Sequence, residues 1–326
     1  MGTNNYFPEG MRLGTAENRE YISSIAGLEK AMAQGKILES TAIICDRDMN
    51  LHVDLYGVEG IIERSEAVLC RKGEELKDIA IITRVGKPVC FKVISIDRSG
   101  EKVKVYLSRR AAQLECVNNY FSGLICGDII KAKVTHLENF GAFVDIGCGI
   151  SSLLSVDCIS VSRISHPRDR LTCGDVIDVA IKMIDEENQR IFVTRRELLG
   201  TWEENAALFS PGQTVAGIVR SIESYGIFVE LAPNLAGLAE FRDEKLGCSV
   251  TVGQSAAVYI KSIIPERMKV KLVLIDSCKG EQPPMRTSPE RVFIDTSKVT
   301  HLDHWRYSPE GASKIIETFF DNGSSF

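Results

Sequence analysis

The pattern of apolar and polar positions predicts short β-strands over most of the chain. Between Ile130 and Val134 apolar residues alternate with lysines, and this period of two is typical of a strand with one side in water. Further β-rich runs cover 176–184 and 191–194, and glycines bound the turns between runs. About five short strands in about 70 residues are too few for a sandwich, and they fit a closed five-stranded OB barrel.

An internal repeat indicates that this barrel occurs more than once. Segment 127–134 resembles segment 212–219, and Phe-Gly-Ala-Phe-Val at 140–144 resembles Tyr-Gly-Ile-Phe-Val at 225–229. Corresponding positions are 85 residues apart in both comparisons. Because two unrelated segments would not keep one register over several landmarks, we predict two copies of the same unit.

A weaker upstream copy and two flanking segments complete the predicted domain organisation. Residues 49–55 parallel the segment that starts at Phe140, and Arg109-Arg110 ends this copy as Arg195-Arg196 ends the middle one. We therefore expect a mainly β chain of three tandem OB barrels joined by short helices. The predicted barrels cover 36–110, 126–196 and 211–276. An N-terminal helical segment covers 1–35, and a C-terminal α/β extension covers 277–326.

Helical patterns occur outside the predicted barrels. Spacer helices are predicted within 110–120 and 196–209. One helix is predicted in the first 35 residues, and we expect it to pack on the first barrel. Thr15 is its N-cap and Gly35 its terminal glycine, and its apolar stripe consists of Tyr21, Ile25, Leu28 and Met32.

The C-terminal extension carries a weaker pattern. It starts as a linker around Pro283-Pro284, and it is predicted to contain a strand at 292–294 and a short helix at 313–320. His301, Asp303 and His304 are too few to predict a metal site. We expect this extension to pack on the third barrel.

Composition excludes several classes of protein. No apolar run approaches the roughly 18 residues of a spanning helix, and no signal peptide is evident, so a cytoplasmic protein without a membrane partner is expected. The ten cysteines contain no CxxC pair, which favours buried free thiols over zinc sites. No catalytic or cofactor motif is present, so we expect neither an enzyme, a cofactor nor a small-molecule substrate. The net charge of −5 argues against wrapping a nucleic-acid duplex, but it permits single-strand binding.

The repeated motifs resemble those of the S-one RNA-binding repeat, a family named after the largest protein of the bacterial small ribosomal subunit. The resemblance rests on the Gly-x-x-Ile strand, the Phe-Gly-Ala-Phe-Val strand and the Leu-Leu or Gly-Leu turn that follows. It covers 126–196 and 211–276 well and 36–110 poorly. It implies that this chain is a short homologue of that ribosomal protein. The expected partners are single-stranded or unstructured RNA, with mRNA in translation as the expected RNA, and the small ribosomal subunit.

The aromatic pair of the repeat is the main candidate for RNA contact. In a regular strand Phe140 and Phe143 would point to opposite sides, and we expect Gly141 to allow a bulge that turns both rings outward. From the residues alone the rings could equally lie in the core. The resemblance favours a stacking platform for bases, and it makes the candidate RNA-binding residues Phe140, Phe143, Asp185, Arg190, Tyr225 and Phe228. Independently of the resemblance, Lys131, Lys133 and Lys182 are candidates for phosphate contact, although lysines on a solvated strand face more often serve only solubility.

Departures from the family pattern leave a second function open. The resemblance implies a His after the turn, and this position holds Ser155, Glu240 and Glu63 in the middle, third and first copies. Met49 and His52 replace the aromatic pair of the first copy. The middle barrel is therefore the best RNA-binding candidate, and the alternative is a scaffold whose degenerate barrels dock the ribosome or another protein.

Overall fold

The computed structural model describes residues 6–71, 73–240, 250–277 and 291–321. These residues form three closed five-stranded β-barrels that follow one another along the chain. In each barrel three strands form an antiparallel meander, the fifth strand runs parallel to the third, and the fourth closes the barrel between the fifth and the first. The prediction of a mainly β chain of tandem OB barrels is confirmed.

The first barrel is preceded by two helices and contains a third between its third and fourth strands. These elements are α1 (Ala16–Ile22), α2 (Ile25–Gln34), β1 (Leu38–Cys45), β2 (Leu51–Leu55), β3 (Val58–Ile62), α3 (Asp78–Ile82), β4 (Pro88–Asp97) and β5 (Lys104–Ser108).

The single N-terminal helix predicted from the sequence is two helices. Thr15 caps α1 as expected, but α1 ends at Ile22, and the side chain of Ser24 caps a new helix by accepting the Gly27 N–H. The break turns Met32 outward, and Ala31 is buried in its place. Buried side chains of both helices belong to the first barrel's core, so the expected packing on this barrel is confirmed.

The middle barrel follows the spacer helix α4 (Arg109–Asn119), which the sequence predicted. Its strands are β6 (Ile129–Glu138), β7 (Gly141–Asp145), β8 (Ser151–Ser155), β9 (Val176–Asp185) and β10 (Arg190–Thr194). The second predicted spacer helix is interrupted, because Gly200 between a 3-10 turn at Arg196–Leu199 and α5 (Trp202–Ala206) has a φ of +83°.

The third barrel is packed against the chain's C-terminal part. Its strands are β11 (Thr214–Glu223), β12 (Gly226–Ala232), β13 (Leu235–Ala239), β14 (Ser255–Ile264) and β15 (Lys269–Ser277), and the tail adds β16 (His304–Arg306) and β17 (Glu317–Phe319). Trp305, Tyr307 and Phe320 join the core of this barrel, which confirms the expected packing of the extension.

Two local predictions for the tail are wrong. Residues 292–294 form no strand, and a strand rather than a helix lies within 313–320, because Glu317–Phe319 pairs with His304–Arg306. The predicted linker at Pro283-Pro284 lies outside the described residues.

Buried carboxylates join the middle barrel to the parts of the chain on both sides of it. Toward the first barrel, the Glu9 carboxylate accepts two hydrogen bonds from the Arg109 guanidinium, at 2.6 and 3.0 Å, and the Glu9 N–H donates to Asp145 at 2.7 Å. Toward the third barrel, Arg170 and Arg220 both contact the buried carboxylate of Glu230. Since an unpaired charge is costly inside a protein, these contacts favour one relative position of the barrels.

Candidate nucleic-acid interface

Phe140 and Phe143 both lie on the outside of the middle barrel. Residues 139–140 form a two-residue turn between β6 and β7, and Phe140 on this turn is 55% exposed. In β7 Ala142 and Val144 point into the core, so Phe143 between them points outward. The two ring centroids are 6.0 Å apart and the ring planes are nearly perpendicular, at 89°.

The position of the bulge differs from the prediction. It lies in β6 between Val134 and His136, and Phe140 is outside the strand altogether. A glycine is required at position 141 for another reason, because a Cβ atom there would lie 2.5 Å from the carbonyl oxygen of Leu154. The glycine therefore allows β8 to approach closely, and the tight turn exposes the first ring.

A continuous row of outward side chains crosses the barrel through Phe143. Cross-strand pairing gives the row the order His136, Phe143, Leu153, Phe192 and Met183. His136 stacks on Phe143 with ring centroids 6.5 Å apart, and Met183 is 48% exposed. We call His136, Phe140, Phe143 and Phe192 the aromatic face.

Sequence reasoning missed two members of the aromatic face. Phe192 could have been found, since Ile191 and Val193 pack in the core and alternation then places Phe192 outside. His136 follows a bulge in β6, and no motif in the sequence marked that bulge.

Arg190 and Asp185 lie at the end of the aromatic face. Arg190 is two residues before Phe192 on the same side of β10, is exposed, and is paired across the ladder with Asp185. The backbone and side-chain N–H groups of Asn188, and then the charge of Arg190, lower the pKa of Asp185. Asp185 thus holds the β9–β10 hairpin in shape beside an exposed guanidinium.

Lys182 also lies on the Phe192 side of the row, because it precedes Met183 on β9 and Met183 pairs with Phe192. Its Nζ atom is 3.0 Å from the sulfur of Cys158, and the hydroxyl of Ser155, followed by the charge of Lys182, lowers the pKa of Asp157. Val156, which lies between Ser155 and Asp157, donates its N–H to the carbonyl of Phe140. One lysine is therefore close to the exposed turn, together with one carboxylate.

Lys131 and Lys133 have partners within the chain and lie outside the row of Phe143. The Nζ atom of Lys131 is 2.6 Å from the Asp178 carboxylate, and that of Lys133 donates to the carbonyl of Glu9 at 2.8 Å. These contacts leave fewer lysines to neutralise phosphate than the sequence suggested.

The third barrel repeats the aromatic pair but not the rest of the row. Tyr225 is 59% exposed on the turn between β11 and β12, and its ring is 6.3 Å from that of Phe228, at 88°. Along the row Ser221 stands where the middle barrel has His136, and Lys271 where it has Phe192. This surface offers two rings and one exposed lysine.

The first barrel presents carboxylates at the corresponding surface. A five-residue loop, 46–50, replaces the two-residue turn, and His52 in the row lies 3.2 Å from both Asp46 and Glu59. The pKa of Asp46 is lowered to about 2, chiefly because the backbone N–H of Asn50 donates a hydrogen bond to its carboxylate. Negative charges therefore flank the position that Phe143 occupies in the middle barrel.

Within the described part of the chain, no cluster of three or more His, Cys, Asp or Glu side chains could hold a metal ion. None of the described helices has the length and apolar character required to cross a membrane.

Comparison with known proteins relates the middle barrel to a family and the chain to ribosomal proteins. Residues 125–196 match the family model described as S1 RNA binding domain. The chain is 34% identical to the small ribosomal subunit protein bS1 of Leuconostoc lactis over 216 residues, and this match covers 64% of this chain and 47% of that protein. It is also 34% identical over 275 residues to the bS1 homolog of Bacillus cereus, with coverages of 82% and 66%.

These relatives are longer than this chain, which spans about half of the Leuconostoc lactis protein. Among solved structures, a multidomain protein with nucleic acid binding domains from Streptococcus pneumoniae matches 74% of each chain at 16% identity with a TM-score of 0.24.

Proposed function

We propose that this chain, in which residues 125–196 are an S1 RNA-binding domain, holds single-stranded RNA on the aromatic face of its middle barrel. The observation that carries the proposal is the outward-facing pair of the exposed Phe140 and the half-buried Phe143, continued by Phe192 along the row of Phe143. Stacking of an unpaired base on an aromatic ring contributes roughly 1–3 kcal/mol. Two or three such contacts would contribute roughly 2–9 kcal/mol to binding of unpaired RNA, with little dependence on the identity of the bases.

The charge distribution favours a single strand over a duplex. The net charge is −5, and Lys131 and Lys133 are engaged within the chain, so few phosphates can be neutralised. Bases in an A-form duplex are already stacked on each other and cannot use the rings. Arg190 and Lys182, which both lie near Phe192, are the cations that we assign to the RNA backbone.

The relatives suggest where this binding takes place. Because they carry the name of a small ribosomal subunit protein, we propose that the chain binds mRNA in translation, in the cytoplasm, at the small ribosomal subunit. Its role is binding without catalysis.

One observation favours protein docking as an additional function of the first barrel. Its surface exposes several large apolar side chains near β1 and α3, and carboxylates flank His52 at the position of Phe143 in the middle barrel. The apolar residues are Ile43, Ile44, Ile79, Ile82 and Val85. A partner such as the ribosome could cover this surface while the middle barrel holds RNA.

Salt dependence of binding tests the proposal. Each phosphate neutralised on a single strand contributes about −0.7 to the slope of log affinity against log salt. With about two to four contacts we expect a slope of roughly −1.5 to −3, and a clear preference for an unstructured strand over a duplex. A slope near −6, or equal affinity for duplex and single strand, would show that a basic surface elsewhere binds the RNA.

A further inference from the structure

The aromatic face of the middle barrel ends at a cleft that the first barrel helps to form. The cleft has a volume of about 220 Å³ and is open to solvent on one side; its lining residues are Arg71, Gly73, Glu74, Glu187, Asn188, Gln189 and Arg190. The first three belong to the connection between β3 and β4, and the last four to the β9–β10 hairpin. Two segments that are far apart in sequence, one from each barrel, thus share one concave surface.

We propose that this cleft is a phosphate subsite for the RNA that leaves the aromatic face, and that the first barrel supplies Arg71 to it. The inference rests on the proposed function of the middle barrel. It assigns a direct role in RNA binding to a barrel whose own outer row lacks the aromatic pair.

The position of Arg190 connects the cleft to the aromatic face. Arg190 and Phe192 alternate on one side of β10, so the guanidinium is next to the last ring of the face. Arg190 also lines the cleft, with Arg71 across from it. A strand with a base on Phe192 would therefore bring its next phosphates between two guanidinium groups, which bind phosphate oxygens through pairs of N–H donors.

The walls of the cleft are held in place. The hairpin wall is fixed by Asn188, which donates to Asp185 through its backbone at 3.0 Å and through its side chain at 2.8 Å. Near the other wall, the Leu69 N–H donates to the side chain of Gln113, and Gln113 donates to the Cys148 carbonyl in the middle barrel. The first barrel's connection is thus tied to the barrel that carries the RNA face.

Two carboxylates in the cleft restrict what it can bind. Glu74 lies 3.6 Å from Arg71, and both side chains are partly exposed, so this ion pair is weak and a phosphate can replace it. Glu187 lies on the hairpin and disfavours any anion that is not held by both arginines. The cleft therefore suits a phosphate that is already positioned by a stacked base, rather than free phosphate.

The test measures RNA affinity of the full chain with Arg71→Gln. Its matched control is Arg98→Gln, which has the same net charge. Arg98 is an exposed arginine of the same barrel, and it pairs with Glu29, away from the cleft residues in the sequence. Each is titrated with an unstructured RNA of about 6 and of about 16 nucleotides, which span the range that one OB barrel binds.

We expect Arg71→Gln to weaken binding of the longer RNA by about three- to tenfold and to make the salt slope shallower by about 0.7, with little effect on the shorter RNA. Arg71→Lys should keep the slope because the charge remains, and Glu187→Gln should strengthen binding. Arg98→Gln should change neither the affinity nor the slope.

If Arg71→Gln and Arg98→Gln behave alike while Phe140→Ala with Phe143→Ala still weakens binding, the subsite is wrong and the proposed function stands. If the wild-type chain binds no RNA, or loss of the two rings has no effect, the proposed function itself fails. An effect of Arg71→Gln that is equal for both RNA lengths would also contradict a subsite beyond the aromatic face.

Discussion

The first and middle barrels share one strand order and differ in the row of side chains on their outer surface. In the middle barrel the row carries His136, Phe143 and Phe192, whereas the corresponding positions of the first barrel carry Ile44, His52 and Tyr106. The turn also differs, because a tight turn exposes Phe140 and a five-residue loop replaces it in the first barrel.

This difference shows that the fold and the binding surface depend on separate sets of positions. Inward residues such as Val53 in the first barrel and Val144 in the middle one are fully buried apolar side chains at equivalent places. The outward positions carry no such packing constraint, so their chemistry can change without loss of the barrel. A family resemblance that rests on the strands therefore identifies a barrel, and only the outer row indicates whether it binds RNA.

The largest expected effect comes from removing the two rings of the middle barrel. We expect Phe140→Ala with Phe143→Ala to weaken affinity for unstructured RNA at least about tenfold, which equals a loss of about 1.4 kcal/mol. Since Phe140 is exposed, unfolding free energy should fall by no more than about 1 kcal/mol. Titration and thermal unfolding of the same samples measure both quantities.

The matched control changes the same surface of the first barrel. Ile44→Ala with His52→Ala should leave RNA affinity within about twofold of the wild type, because no base stacks there. Equal losses in the two double variants would remove the distinction between the barrels.

An intermediate effect is expected for the third barrel. Tyr225→Ala with Phe228→Ala should weaken binding of a long RNA by about threefold, because this barrel keeps the pair of rings but has Lys271 and Ser221 in place of Phe192 and His136. A short RNA that fills only one barrel should be unaffected. A loss as large as that of the middle-barrel variant would indicate that the third barrel is an equal binding site.

The smallest effect is expected from removing acidic charge on the first barrel. Glu59→Gln with Glu63→Gln should increase affinity for a long RNA by at most about twofold, since repulsion of the backbone decreases while no ring is gained. The increase should disappear at high salt, where exposed charges are screened. A tenfold gain would mean that charge alone, and not the missing rings, prevents binding by this barrel.

The sequence predicted the barrels well because their signals are local and repeated. Alternation in β6 and the constant spacing of the two aromatic motifs were sufficient for the fold. The residues alone left the position of the aromatic pair open, and only the family resemblance favoured an outward position. Phe192 was missed because it lies outside the repeated Phe-Gly-Ala-Phe motif and the third copy has Lys271 at this place, so only Tyr106 of the weakly matching first copy repeats a ring there. The partner of Lys133 is the carbonyl of Glu9, far away in sequence, and such a contact leaves no local pattern.

The tail shows the same limit for secondary structure. Apolar residues near Ile315 and Phe320 fit helical spacing, but the segment pairs with His304–Arg306 and becomes a strand. Tertiary packing on the third barrel thus overrode the local preference. The buried ion pairs between barrels could not be predicted either, because each joins residues from separate elements.

Photocrosslinking of a uridine-rich single strand carrying photoreactive bases, followed by mapping of the attached residues in the intact chain, tests the central claim most directly. We expect crosslinks to concentrate on Phe140, Phe143 and Phe192 of the middle barrel, with fewer on Tyr225 and Phe228. We expect none at Ile44 or His52. Crosslinks concentrated on the outer row of the first barrel, or on Lys131 and Lys133 with none on the aromatic face, would contradict it.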